Sequence, residues 1–135
     1  MAVGETDDPN AVIETYAAAA AITKGDAVYL SADGVVTKAA AAKDCIGIAT
    51  KSQSTVGGPV PVLVRGRVKV TAGGAIAIGL AVYGADASSR ILALADQAVN
   101  EGGSATYSIY YGRKLGIALQ AALEAGDLIF IKVGK

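Results

Sequence analysis

Chemistry performed by side chains needs a nucleophile, a base or a set of ligands at the right spacing, and this chain of 135 residues offers few of them. It has no histidine and a single cysteine, Cys45. A Ser–His or Cys–His nucleophile therefore lacks its imidazole base, and a zinc site lacks its ligands. Asp7–Asp8 is the one tight acidic pair, too little for a calcium loop, which needs carboxylates at fixed offsets. Asp26, Asp33 and Asp127 adjoin Gly25, Gly34 and Gly126. Turn geometry accounts for them better than the paired carboxylates of glycoside hydrolysis do. The string Cys45-Ile46-Gly47-Ile48-Ala49-Thr50-Lys51-Ser52 lacks both glycines that let backbone amides wrap a phosphate. Gly73 to Gly79 has the wrong spacing for a dinucleotide loop. The expectation is a protein that is not an enzyme and holds no cofactor and no metal.

What could act by contact is charge. Lysines and arginines number 12, as do aspartates and glutamates, so the balance of zero gives no reason to expect nucleic acid or a membrane as partner. The placement is uneven. Glu5, Asp7, Asp8 and Glu14 all precede the first basic residue, Lys24. Further on, Arg65, Arg67 and Lys69 recur at every second position, a basic stripe on one face of a strand. No aromatic residue interleaves with that stripe, which argues against single-stranded nucleic acid.

The elements that must carry these residues read as β nearly throughout. Ala27–Leu30, an Asp33-Gly34 turn and Val35–Lys38 spell a hairpin. Cys45–Thr50, Val60–Val70, Ala75–Tyr83, Ile91–Leu94, Thr106–Tyr111, Lys114–Leu119 and Leu128–Val133 follow as strands. In the longest, Val62, Val64, Gly66, Val68 and Val70 predict a buried face, and Leu63, Arg65, Arg67 and Lys69 a wet one. Leu128–Val133 is apolar on both faces and belongs in mid-sheet. The Ala-rich runs 17–21 and 39–42 and the stretch 120–124 have helical propensity but little length. Aromatic residues are 5% of the chain and glycines number 17, which suits closely packed β layers over a roomy ligand cavity. A lone cysteine allows no internal disulfide, and the opening MAVGETDDPN lacks the character of a secretory signal. Tyr16 to Ile22 is too short to span a bilayer. Folding in a cytoplasm is expected.

The chain also repeats itself. Ile22-x-x-Gly25-x-Ala27-Val28-Tyr29 matches Ile76-x-x-Gly79-x-Ala81-Val82-Tyr83, and Gly47-Ile48-Ala49 matches Gly116-Ile117-Ala118. Two related β units packed into one barrel or sandwich are expected over residues 17–135. An extended arm over 1–16 would lie loose until a partner orders it, since its acidic, Pro9-containing start cannot bury enough apolar surface to fold alone. The competing account makes Val12–Tyr16 the first strand of the barrel itself and leaves only the first ten residues loose.

Ala21-Ile22-Thr23-Lys24-Gly25-Asp26-Ala27-Val28-Tyr29 after an acidic leader resembles the N-terminal pattern of tailed-phage capsid decoration, or cement, proteins. Cys45-Ile46-Gly47-Ile48-Ala49, Val62-Leu63-Val64-Arg65-Gly66-Arg67-Val68, Leu115-Gly116-Ile117-Ala118 and Ala125-Gly126-Asp127-Leu128-Ile129-Phe130-Ile131 extend the likeness. The resemblance implies an all-β body that binds over major capsid protein subunits on the outside of a virus head, as a homotrimer, with its N-terminal segment along the shell. It has no catalytic residues to carry over. The residues expected to meet the partner are Val3, Val12, Ile13, Glu14 and Tyr16 on the arm and Arg65, Arg67 and Lys69 on the stripe. A tail or head-completion component is the runner-up, and a small-ligand-binding β-barrel a third reading.

Overall fold

Backbone hydrogen bonding, not propensity, decides how short Val- and Ala-rich segments come together. In the computed structural model, which describes residues 2–41, 43–94 and 114–134, they form nine strands. These are β1 (Val12–Ala18), β2 (Ala27–Ala32), β3 (Val35–Lys38), β4 (Gly47–Ala49), β5 (Pro59–Thr71), β6 (Ala81–Gly84), β7 (Ile91–Ala93), β8 (Lys114–Ala118) and β9 (Leu128–Val133). The strand order is β1-β3-β2-β4-β5-β9-β8-β6-β7, and an additional β1–β5 pairing closes the first five into a barrel. β5 is long enough to serve twice. Its first half pairs with β1 and β4, its second half with β9. Gly66, at φ +126, sits at the changeover.

The two units suggested by the repeat are present, and their registers correspond residue for residue. Ala27 pairs with Ile48 and Val28 with Gly47; in the second unit Ala81 pairs with Ile117 and Val82 with Gly116. Ala49 faces Val62 as Ala118 faces Ile131. The bridge Ile22↔Gln53 returns as Ile76↔Ala122, and the parallel contact Ala18↔Val36 returns as Ala72↔Ile91. Equivalent loops even repeat their bonds: Gly25 N–H donates to Ala49 O and Gly79 N–H to Ala118 O, each at 2.8 Å.

Two apolar clusters follow from this. The first unit is filled by Ala18, Ile22, Val28, Val36, Ala49, Val60 and Val62. The larger cluster fills the second unit with Val68, Val70, Ile76, Val82, Ile91, Leu115, Ile129, Ile131 and Val133. It also takes in the outer flank of the first unit, Ala27, Ala39, Cys45, Ile48 and Leu63. At roughly 1.5–3 kcal/mol for each buried Val, Ile or Leu, the burial shared between units welds them together.

Several expectations change here. Leu63, assigned to the wet face of β5, is fully buried, because the first half of β5 is covered on both sides. The expected strand 75–83 shrinks to Ala81–Gly84; before it come the Ile76 bridge and a turn at Gly79, whose φ is +83. Where they are described, the three stretches with helical propensity hold bends, a strand end and an isolated bridge, and no helix occurs among the described residues. Backbone partners on neighbouring strands outweigh a weak local preference. β9 does lie inside the sheet, between β5 and β8, with Leu128 and Lys132 exposed on one face. The expected strand 106–111, with Tyr107, Tyr110 and Tyr111, falls outside the described residues.

The arm boundary also moves. Residues 12–16 are not a free arm but the start of β1, in register with β5 from Val12↔Arg65 to Ala17↔Pro59. Alternation of side chains made Val12–Tyr16 competent to pair, and the nearest complementary edge is the chain's own. The acidic leader before it does not hang loose either. Gly4 N–H donates to Lys69 O at 2.8 Å, and Lys69 N–H donates to Glu5 O at 3.0 Å.

Candidate functional site

A protein that works by contact is defined by what it leaves uncovered, so the two units are best compared at the end where β1 and β5 begin. In the second unit that end is sealed. Val68, Val70, Leu115 and Val133 are all buried there beneath the flank of the first unit. Gly84 makes the fit possible: a Cβ on it would lie 2.7 Å from the Ala27 Cβ and 2.9 Å from the Cys45 Sγ. The Cys45 thiol donates to Gly84 O at 3.5 Å in the same seam.

In the first unit the corresponding positions are Glu14, Tyr16, Ile46 and Val64, and that end is open. Val12, Glu14, Tyr16, Ile46, Val64 and Arg65 line a groove of about 480 Å³. Leu30, standing where the second unit has Gly84, is 48% exposed, as is Ile13. A β-bulge shapes the groove. The register slips between Val12 and Ile13, so that Val64 has no partner on β1. The extra residue bends the strand and turns Arg65 in beside Val64. Burial first, and then the charge of Glu14, push the Tyr16 hydroxyl above its ordinary pKa. Neither Glu14 nor Arg65 forms an ion pair among the described residues.

The eight residues singled out in the sequence thus separate into groups. Val12, Glu14, Tyr16 and Arg65 meet at the groove, and Ile13 lies on the same strand. Val3 is elsewhere, half-buried against the backbone of Gly25, where an added Cβ would overlap its Cγ1. Arg67 and Lys69 do not continue a stripe from Arg65. The Arg67 guanidinium holds Asp7 at 2.7 Å and the Arg67 backbone N–H donates to Asp8, while the Arg67 and Lys69 side chains lie over the Phe130 ring, at 5.3 and 4.6 Å. Arg67 binds the leader with its side chain and its amide, Lys69 through its backbone alone. The Lys24 ammonium holds Glu5 at 3.2 Å. The Glu5 carboxyl sits below its ordinary value, held by a hydrogen bond from the Ala2 amide and then by Lys24. Ile46 and Val64 escaped the sequence reading as site residues. The repeat held the signal, since it aligns them with the buried Leu115 and Val133.

Among the described residues no group of three or more His, Cys, Asp or Glu is placed to hold a metal ion. The surface that results is a mixed groove with one cation and one anion, flanked by a strand edge. It is suited to holding another chain.

The family model described as phage cement protein matches residues 41–134. No curated protein matches the sequence. Among solved structures, the head fiber gp8.5 N base of bacteriophage phi29 has a similar fold, with a TM-score of 0.61 at 16% identity. The superposition covers 92% of this chain and 94% of that one.

Proposed function

The chain belongs to the phage cement protein family, and we propose on that footing that it binds the major capsid protein and stabilises the assembled shell without catalysing any reaction. Its place in the virion, as decoration of the capsid, follows from the family. The partner subunit, a trimeric state on the shell and synthesis in the host cytoplasm are our own reading. The observation that carries the binding mode is the open end of the first unit, where Val12, Glu14, Tyr16 and Arg65 converge.

The physical case is one of multiplication. A shell is held by the same interface repeated many times, so a modest gain in each copy accumulates over the particle. A clamp of this kind needs a rigid body with an accessible edge. Two β units welded through one buried cluster provide rigidity, and the groove provides access.

A second reading, a component standing on the head as the base of a fibre, is favoured by the fold shared with the phi29 head fiber base. Electron microscopy of heads carrying the protein, compared with heads lacking it, distinguishes these. Density lying flat across coat subunits in the decorated heads alone is expected. Density at the tail or portal, or at the root of a projecting fibre, overturns the cement reading.

A further inference from the structure

The comparison of the two units reaches one level deeper than side chains. In the second unit the outward-facing backbone of β5 is capped: Lys69 exchanges hydrogen bonds with Gly4 and Glu5, and Arg67 N–H donates to Asp8. Farther along the same edge, Gly73 N–H donates to Ile91 O. The first unit repeats the farther bond, with Ala19 N–H donating to Val36 O and Ala17 N–H to Gly34 O. Residues of that parity face away from β5, and Pro61, which lacks an N–H, stands opposite Thr15. Ile13 and Thr15 are therefore the counterparts of Arg67 and Lys69. Their outward amides and carbonyls have no partner among the described residues. The leader that caps the second unit cannot cap this edge, because it runs directly into β1.

We propose that the edge of β1 at Ile13 and Thr15 accepts an extended strand of the shell protein, with alternate side chains of that strand entering the groove beside it. This rests on the cement reading and names the contact through which it works. The molecule itself contains the template, a distant extended segment already lying against the equivalent edge. Backbone bonds give affinity in such an arrangement, and the pockets give register. Charge decides against a second copy's leader as the occupant. At the capped edge the Arg67 guanidinium receives Asp7, the Arg67 backbone N–H receives Asp8 and the Lys24 ammonium receives Glu5. At the open edge the repeat places Ile13 where the capped edge has Arg67 and Ile78 where it has Lys24, and the charges nearby are Glu14 and Arg65. The three carboxylates of a leader would find a single cation there, Arg65, with the Glu14 carboxylate in the same groove. A segment that is apolar at alternate positions and not acidic fits.

The test uses empty shells assembled from the coat protein of the same virus. Thr15→Pro removes one outward N–H and leaves the ladder to β5, a position where an edge strand tolerates proline. Ile13→Lys places a charge on the edge, a device that blocks strand addition, and carries the test should the proline variant not fold. Leu123→Ala, at an exposed site in the other unit, is the control. Both edge variants are expected to melt within a few degrees of the unaltered protein and to bind shells about tenfold more weakly or worse, since a desolvated group is left without its partner. Hydrogen exchange gives an independent reading. The amides of Ile13 and Thr15 should exchange fast in the free protein and slowly on shells, while Glu14 and Tyr16 are protected in both. Unchanged binding by folded edge variants, or no new protection at Ile13 and Thr15, overturns the proposal while leaving the cement reading intact. Failure of the unaltered protein to bind shells removes both. Edge substitutions that dissolve self-assembly in the absence of shells show the occupant to be another copy, which also overturns it.

Discussion

Gly47 and Gly116 occupy one and the same place in two copies of a unit. A Cβ on Gly47 would come within 2.1 Å of the Leu63 carbonyl oxygen, and a Cβ on Gly116 within 2.0 Å of the Lys132 carbonyl oxygen. The obstacle is backbone in both cases, held by the next strand's own ladder, so it cannot step aside. Neither glycine has a positive φ. What each provides is room for β4 and β8 to lie close against β5 and β9.

Gly47→Ala and Gly116→Ala should each destabilise the fold by about 1–3 kcal/mol, the usual cost of forcing atoms into a packed interior. In a chain of this size that lowers the melting temperature by several degrees. Gly74→Ala is the matched control, since nothing lies within 4 Å of its added Cβ and its φ is ordinary. Thermal unfolding of the three variants checks this; equal melting temperatures would show that the strands can spread at little cost.

Cys45 should resist thiol reagents in the native protein. It is fully buried in the seam between the units, against Gly84. Labelling should therefore follow opening of that seam and accelerate in Gly84→Ala, whose methyl would press on the Cys45 Sγ. Labelling of the unaltered protein as fast as an exposed thiol would refute the arrangement.

Two aspartates set opposite pH dependences. Burial raises the pKa of Asp26, against the hydrogen bond from Thr23 N–H and the charge of Lys38. A carboxyl that binds its proton more tightly when folded adds stability below its unfolded value of about 3.9 and loses that contribution as pH rises through the folded value. Asp26→Asn, which keeps an acceptor for Thr23, should therefore melt higher than the unaltered protein at pH 7 and lose the advantage near pH 3. At Asp86, burial pushes up, but amide donors from Arg90 and Ser88 and the Arg90 guanidinium prevail and lower its pKa. Its contribution is present above the unfolded value and fades as pH falls through the folded one, so Asp86→Asn should cost stability at pH 7 and little at pH 2. Melting curves across that range check both signs.

Deleting residues 2–10 should leave a folded barrel that melts roughly 5–10 °C lower, from about 2–3 kcal/mol of lost backbone bonding, packing and ion pairing. Most of that belongs to the Gly4–Lys69–Glu5 bonds and to Val3 against Gly25. Arg67→Ala alone should cost no more than about 1 kcal/mol, because its pairing with Asp7 is half exposed, and added salt should shrink the difference. An unchanged melting point in the deletion would show that the leader contributes nothing to the body.

The sequence by itself determined the all-β class, the main strands and the duplication. Alternation and matched spacing at Ile22–Tyr29 and Ile76–Tyr83 are local properties, fixed by which side chains must turn inward from a pleated backbone. It also determined that Val12, Glu14 and Tyr16 share a face. Only the tertiary structure decided what those faces meet. Leu63 reads as exposed by alternation and is buried, because a second unit folds against it. Arg67 and Lys69 read as a surface stripe and instead hold the leader. Val12–Tyr16 reads as an arm for a partner's sheet edge, with the barrel's own first strand as the alternative, and it closes the barrel. In each case the outcome depends on which of two competent surfaces lies nearer once the chain has turned back on itself. Equal units can therefore end unequal: the one that finds a neighbour within the chain is sealed, and the other is left open.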